Sequence, residues 1–247
     1  MRPIATSAAA SALLTLILGC EGDKAHPDLG PPTGAVTTAV PPTAPAIPEE
    51  RAPDIIIDPG TIAIGTNRVP AGEPGLADRV SVFVSGRPTI EGHAIEVVAM
   101  RNAKPSEVAA VVSALQRAKA SSVAVKTEAR DNTTQRLPLS FDAILQPCTT
   151  IAWIAKDASI DVWPVAGGTA KRIFKGLAGP DMTLGTEAVS QVGARCESSD
   201  LVVGADDAMT WGLVFDLGTM AFRAPGARTS KAVLVTTAVP GRKLVIE

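Results

Sequence analysis

The chain carries one local pattern twice: a short apolar run followed at once by a stretch in which apolar residues recur with helical spacing. Residues 95–100 and 201–205 are the apolar runs, and each predicts a buried strand. A helix that opens at residue 104 and stops near residues 119–122 is predicted after the first run, and a helix over residues 210–222 after the second; each has one buried face. The side chains expected on these faces are Val108, Val111, Val112 and Leu115 in the first helix, and Leu213, Val214, Leu217 and Met220 in the second.

Three further segments surround the first of these units. Residues 54–65 predict a hairpin, because an apolar run, an Asp-Pro-Gly turn and alternating isoleucines follow one another. Residues 76–85 fit either a helix or a strand, since their valines alternate. Residues 123–127 predict a closing strand. Strands that alternate with helices predict an α+β fold, here a small α/β sandwich.

The second unit repeats this order after a polar bridge, which we place at residues 131–147. Residues 151–163 predict a hairpin that turns near residues 156–158. A helix is expected to begin at Thr183 or Thr186. Strands are predicted at residues 231–237 and, as an option, at residues 243–246.

This repetition predicts two tandem modules, residues 54–130 and residues 148–247. Residues 97–98 align with 202–203 at an offset of 105, and residues 123–127 align with 233–237 at an offset of 110. The alternative is that any two strand–helix–strand units look alike at this level of identity.

The N-terminus has the pattern of a secretory signal. Arg2 precedes an apolar run over residues 4–18, which is too short to span a bilayer, and a small residue then precedes Cys20. Residues 16–20 resemble the lipobox of bacterial lipoproteins, which implies a signal peptide over residues 1–19 and a lipid on the Cys20 thiol. The alternative is an ordinary signal or anchor helix. Residues 20–53 are rich in Pro, Ala and Thr and predict a disordered linker.

Composition excludes some classes of partner. The net charge is −2 and charged residues make up 19% of the chain, so we expect no general attraction to nucleic acid. Aromatic residues make up 3% and Tyr is absent, which removes the stacking surfaces that single-stranded nucleic acid uses.

Few residues have the types and spacing that chemistry requires. After Cys20, only Cys148 and Cys196 remain, which in an exported chain predicts one disulfide; free thiols or a metal site are the alternative. His93 lacks catalytic partners in the sequence. We therefore expect no catalytic residue, no cofactor site and no metal site.

The densest acidic cluster is the pair Asp206 and Asp207, with Asp200 and Asp216 nearby. These carboxylates fit either a calcium or general-base site or, more simply, a helix N-terminus. Trp211 begins the following helix and could line a surface, so Asp206, Asp207 and Trp211 together form a possible binding surface.

Both modules resemble the periplasmic domain of the ExbD/TolR family, partner proteins of proton-driven motors in the bacterial envelope. The resemblance is carried by residues 57–64, residues 96–108 and residues 202–216. It implies the fold of each module and a tendency of the modules to pair within the chain. The family couples to protons through a carboxylate in a transmembrane helix, but residues 4–18 have no ionisable side chain, so the resemblance does not imply proton coupling here.

The sequence thus predicts a non-enzymatic, lipid-anchored periplasmic protein of the bacterial cell envelope. It would act as a binding or accessory module related to biopolymer-transport proteins. Its expected contacts are the membrane, through the lipid, and an envelope protein or the cell wall, without nucleic acid. The alternatives are an exported enzyme with a site between the two modules and a purely structural lipoprotein.

Overall fold

The computed structural model describes residues 51–141 and 145–245. The predicted signal peptide, Cys20 and all but the end of the predicted linker lie outside these residues. The strands are β1 Ile55–Asp58, β2 Thr61–Ile64, β3 Asn67–Pro70, β4 Ala94–Ala99, β5 Ser122–Glu128, β6 Thr134–Leu139, β7 Thr150–Ile154, β8 Ile160–Pro164, β9 Lys171–Ile173, β10 Asp200–Ala205 and β11 Lys231–Val235. The helices are α1 Leu76–Val84, α2 Pro105–Arg117, α3 Met182–Gly193 and α4 Trp211–Arg223.

All of these strands belong to one mixed sheet, in the order β3-β2-β1-β4-β5-β6-β11-β10-β7-β8-β9. We call β1–β5 with their helices the first half and β7–β11 with theirs the second half; β6 lies between them. In the first half β1, β4 and β5 run parallel, as do β7, β10 and β11 in the second. The mixed sheet with its four described helices is consistent with the predicted α+β class.

Each half contains its elements in the order β-β-β-α-β-α-β. The helices α2 and α4 have 13 residues each and begin at residues 105 and 211, so the offset between them is 106. The same offset relates β4 to β10 and the first residues of α1 and α3. The predicted offset of 105 is therefore wrong by one residue. In the sheet Val97 pairs with Val125, and its counterpart Val203 pairs with Leu234. Val125 and Leu234 therefore correspond at an offset of 109, so the predicted offset of 110 is also wrong by one residue.

One large core lies between the sheet and the helices and includes buried residues from both halves. The opposite sheet face differs between the halves. In β4, residues alternate between exposed and buried, as expected for a sheet with one solvated face. In β7 every residue is buried, because Trp153, Trp163 and neighbouring side chains pack beneath Leu244 and Ala238 of the C-terminal segment.

Several local predictions need correction. The ambiguous residues 76–85 contain helix α1, and the helix expected from Thr183 or Thr186 begins at Met182 after Asp181, whose carboxylate accepts a hydrogen bond from the Leu184 amide. The strand β6 lies inside the predicted bridge, and β3 was not predicted. Residues 243–245 form no strand. Met220, expected in the core, is 37% exposed.

Within the part of the chain that the structure describes, none of the helices has the length and apolarity needed to cross a membrane.

Candidate functional site

The predicted acidic pair holds two turns of the backbone in place. The Asp206 carboxylate accepts a hydrogen bond from the Ala208 amide at 2.8 Å, inside its own loop. The Asp207 carboxylate accepts one at 3.1 Å from the Ser106 amide, the second residue of α2 in the first half. Asp207 thus satisfies a free N–H at a helix N-terminus, although the helix is not the one that follows it in sequence. Asp200, in contrast, lies at the start of β10.

Trp211 does not belong to a surface. Its side chain is fully buried, and its indole N–H donates to the Thr127 hydroxyl at 2.8 Å. That hydroxyl donates in turn to the Ala99 carbonyl oxygen at 3.0 Å. The prediction that Trp211 lines a binding surface is therefore wrong, because this side chain joins the core of the two halves.

The two corners that lead from β4 to α2 and from β10 to α4 contact each other. The Gly212 amide donates to the Arg101 carbonyl oxygen, and the Trp211 amide donates to the Ala103 carbonyl oxygen, both at 2.8 Å. A side chain at position 212 would meet Arg101, since a Cβ there would lie 3.0 Å from the Arg101 carbonyl oxygen. Backbone N–H groups at the N-terminus of α2 and of α4 thus donate hydrogen bonds to the opposite half.

Beside these corners, Asp216 of α4 binds two arginines. Its carboxylate accepts hydrogen bonds from both terminal nitrogens of Arg101, at 2.9 and 2.7 Å, and from Nε of Arg130 at 2.7 Å. Its side chain is only 9% exposed. The hydrogen bonds to Asp216 raise the pKa of Arg101. Arg101 of the first half and Arg130 of the turn between β5 and β6 therefore pair with one buried anion of the second half.

A groove of about 680 Å³ opens next to this ion cluster. We define the groove by three walls: the turn between β5 and β6 (residues 129–135), the loop and first turn that lead into α3 (residues 176–183), and the C-terminal part of α4 (residues 216–223). Two of these walls belong to the second half, and the third is the turn that connects β5 with β6.

Apolar side chains occupy the floor and the rim of the groove. Met182 and Met220 line it, and Leu177 stands at the tip of a tight turn closed by Gly176 and Gly179. Leu177 is fully exposed. Two further exposed apolar side chains flank this loop in sequence: Phe174 precedes it and Leu184 follows it. Exposed apolar side chains concentrated in this way are typical of an interaction surface.

The polar residues of the groove differ in how many of their hydrogen-bonding atoms have a partner. Asp131 accepts hydrogen bonds from the amide and hydroxyl of Thr133, which lower its pKa. Thr219 directs its hydroxyl to the Phe215 carbonyl oxygen of its own helix. Arg130 is held only through Nε, and Arg223 is exposed. Sequence patterns had not singled out Arg130, Arg223 or Leu177; a charged residue inside the apolar run of α4, Asp216, was the available signal for a buried ion pair.

The remaining candidates lie apart from the groove. Cys148 and Cys196 form the predicted disulfide, which links the start of β7 to the segment after α3. A disulfide is consistent with an exported protein. His93 is exposed, with its Nδ1 2.9 Å from the Glu91 carbonyl oxygen.

Among residues 51–141 and 145–245, no three His, Cys, Asp or Glu side chains converge as metal ligands. Comparison of the chain with family models, with curated proteins and with solved structures found no match.

Proposed function

We propose that the protein is an exported, lipid-anchored binding module of the bacterial envelope that acts through the groove. The observation that carries this proposal is the combination, in one concave surface, of exposed apolar side chains with two arginines that retain free N–H groups. Leu177 and Met220 supply the apolar part, and Arg130 and Arg223 supply the charge. Interaction surfaces of proteins combine apolar anchors with arginine in this way.

We further propose that the two halves are tandem modules of ExbD/TolR type. The identical order of elements supports a duplication, as does the constant offset of 106 residues that relates the stretch from α1 to α2 to the stretch from α3 to α4. Each half also has a third strand, β3 or β9, before its first helix. The family's proton coupling is not part of the proposal.

Export and anchoring rest on the sequence of the N-terminus and on the disulfide. The Cys148–Cys196 bond suits an oxidising compartment such as the periplasm. Cys20 lies outside the described residues and remains the predicted attachment point of the lipid.

Site-specific photo-cross-linking in intact bacterial cells tests whether the groove binds a partner. A benzophenone amino acid is placed at Leu177, on the rim of the groove, or at Val82, another exposed apolar position, on α1. We expect a discrete cross-linked product of higher mass from position 177 and none from position 82. Equal products from both positions, or none from position 177, would contradict a binding function of the groove.

A further inference from the structure

We infer that the groove docks an extended protein segment that carries both acidic and apolar side chains. This inference rests on the proposed function and specifies the chemistry of the partner. It follows from the hydrogen bonds of the side chains that line the groove. The carboxylates accept hydrogen bonds from within the chain, whereas the arginines keep N–H groups that donate to no described residue.

Each acidic side chain of the groove has an internal partner. Asp216 is bound by Arg101 and Arg130, Asp131 by Thr133, and the Asp181 carboxylate by the Leu184 amide at the N-terminus of α3. Such carboxylates have fewer lone pairs left for a ligand, since they already accept hydrogen bonds within the chain. Arg101 and Arg130 also balance the charge of Asp216, and the charge of Arg223 acts on Asp131.

The arginines keep unused donors. Nε of Arg130 binds Asp216, while its two terminal nitrogens have no hydrogen-bond partner among the described residues. Arg223 has neither a hydrogen bond nor an ion pair within residues 51–141 and 145–245. The residue of the first half that corresponds to Arg223 is Arg117, which binds Asp78 at 2.6 Å. The residue of α3 that corresponds to Asp78 is Leu184, so Arg223 lacks the acid that its counterpart binds.

Apolar contacts supply the other part of the recognition. Leu177, Met182 and Met220 lie beside the two arginines, and methionine adapts its shape to different apolar side chains. A groove of about 680 Å³ that is open to solvent accommodates several side chains of an extended segment. Charge complementarity then selects carboxylates that flank the apolar side chains.

An anionic membrane surface is the competing source of negative charge. Protein segments that bind anionic lipids carry clusters of about four to eight basic residues. The groove has two arginines with free donors, and they lie in a concave surface rather than on a protruding one. Two cations beside apolar walls fit a peptide better than a bilayer.

Fluorescence anisotropy with defined peptides tests this inference on the purified protein. The probes are short labelled peptides of alternating Glu and Leu, of alternating Lys and Leu, and of alternating Glu and Ser. We expect measurable binding of the Glu/Leu peptide only. Arg223→Gln should weaken it about three- to fivefold, and Leu177→Ser about tenfold. Arg228→Gln, which removes an exposed arginine outside the groove, is the matched control and should leave the affinity unchanged.

The outcomes separate this inference from the proposed function. Equal binding of the Lys/Leu peptide, or an unchanged affinity in both groove variants, overturns the preference for an acidic–apolar segment. Sedimentation with phosphatidylglycerol vesicles, without binding of the Glu/Leu peptide, overturns it in favour of a membrane surface. If position 177 still forms a specific cross-link in cells in either case, the groove binds a partner of another chemistry and the proposed function stands.

Discussion

Asp161 in β8 is a carboxylate whose charge is poorly compensated. It is 1% exposed, its Oδ2 has no hydrogen-bond partner among the described residues, and the nearest cation, at 3.8 Å, is Arg172. Burial raises its pKa; Arg172 opposes this effect and Asp157 adds to it. Because the folded pKa lies above the unfolded value, this group destabilises the folded state at neutral pH, and stability increases as the pH falls through the folded pKa towards the unfolded pKa.

We therefore expect Asp161→Asn to raise the free energy of unfolding by about 1–2 kcal/mol at neutral pH. The difference from the native protein should shrink as the pH is lowered and Asp161 itself becomes neutral. Urea titrations at several pH values, followed by circular dichroism, measure both effects. A variant that is less stable at neutral pH would show instead that the pair with Arg172 stabilises the fold.

Asp157 provides a control of opposite sign on the same hairpin. Hydrogen bonds from Ser159 lower its pKa to about 2, and Arg172 contributes further. Its stabilising effect is present above the unfolded pKa and is lost as the pH falls towards 2. Asp157→Asn should therefore lower the free energy of unfolding at neutral pH, and the difference from the native protein should disappear as the pH falls towards 2.

The sequence could not reveal the environment of Asp161. The hairpin over residues 151–163 was predicted and is confirmed by β7 and β8. An aspartate between Ile160 and Val162 in such a hairpin is expected on a solvated face. The C-terminal segment and neighbouring loops cover that face instead, and no local pattern near residue 161 signals a cover that comes from residues 238–244.

The disulfide is an element-scale constraint that the cysteine count did predict. It joins residues 48 positions apart and fixes the segment after α3 to the start of β7. Closing a loop of this length lowers the entropy of the unfolded chain, which corresponds to about 4 kcal/mol of stability. We expect the double variant Cys148→Ser, Cys196→Ser to lose stability of this order in urea titration. A reductant should shift the native protein towards the variant and leave the variant unchanged; equal stability of the two would contradict a constraint from this bond.

Strands with strong apolar patterns were predicted, and short or polar strands were missed. The helix predicted to open at residue 104 is confirmed by α2, because its apolar spacing is regular. By contrast, β6 contains Pro138 and polar residues, and β3 has four residues and ends at Pro70. Their place in the sheet depends on neighbours distant in sequence: β6 pairs along its whole length with β5.

The offset between the halves shows how local similarity misleads. Aligning Val97 with Val202 matches two valines, but Val97 belongs to the main core and Val202 to the opposite sheet face. The structural counterpart of Val97 is Val203. Since strand side chains alternate between faces, an error of one residue exchanges the two faces of the strand. Arg101 then corresponds to Asp207, and both residues satisfy the helix of the opposite half.

At the scale of the whole molecule, contacts made by the helices couple the two halves more strongly than the hydrogen bonds of the sheet do. Between β6 and β11 the ladder contains one residue pair, whereas β5 and β6 share six. The contacts across the helix side include the ion cluster of Asp216, the bond from Trp211 to Thr127, and the packing of Gly218 against Leu137. One contiguous core also extends through both halves. These contacts lead us to expect one cooperative unit.

Unfolding monitored by two probes tests this coupling. Trp153, Trp163 and Trp211 all lie in the second half, so tryptophan fluorescence reports on that half while far-UV circular dichroism reports on both. We expect the two urea curves of the native protein to coincide. Asp216→Asn should lower the free energy of unfolding by about 2–4 kcal/mol, because it leaves Arg101 and Arg130 without their buried anion.

Glu96→Gln is the matched control for Asp216→Asn, because Glu96 also pairs with two cations but on the solvated sheet face. Its side chain is 40% exposed between Lys126 and Arg136, so its loss should cost at most about 1 kcal/mol. Equal effects of the two variants would contradict a special role for the cluster between the halves. Separate transitions by the two probes in the native protein would show that the halves fold independently, and the groove would then lie between two units free to move against each other.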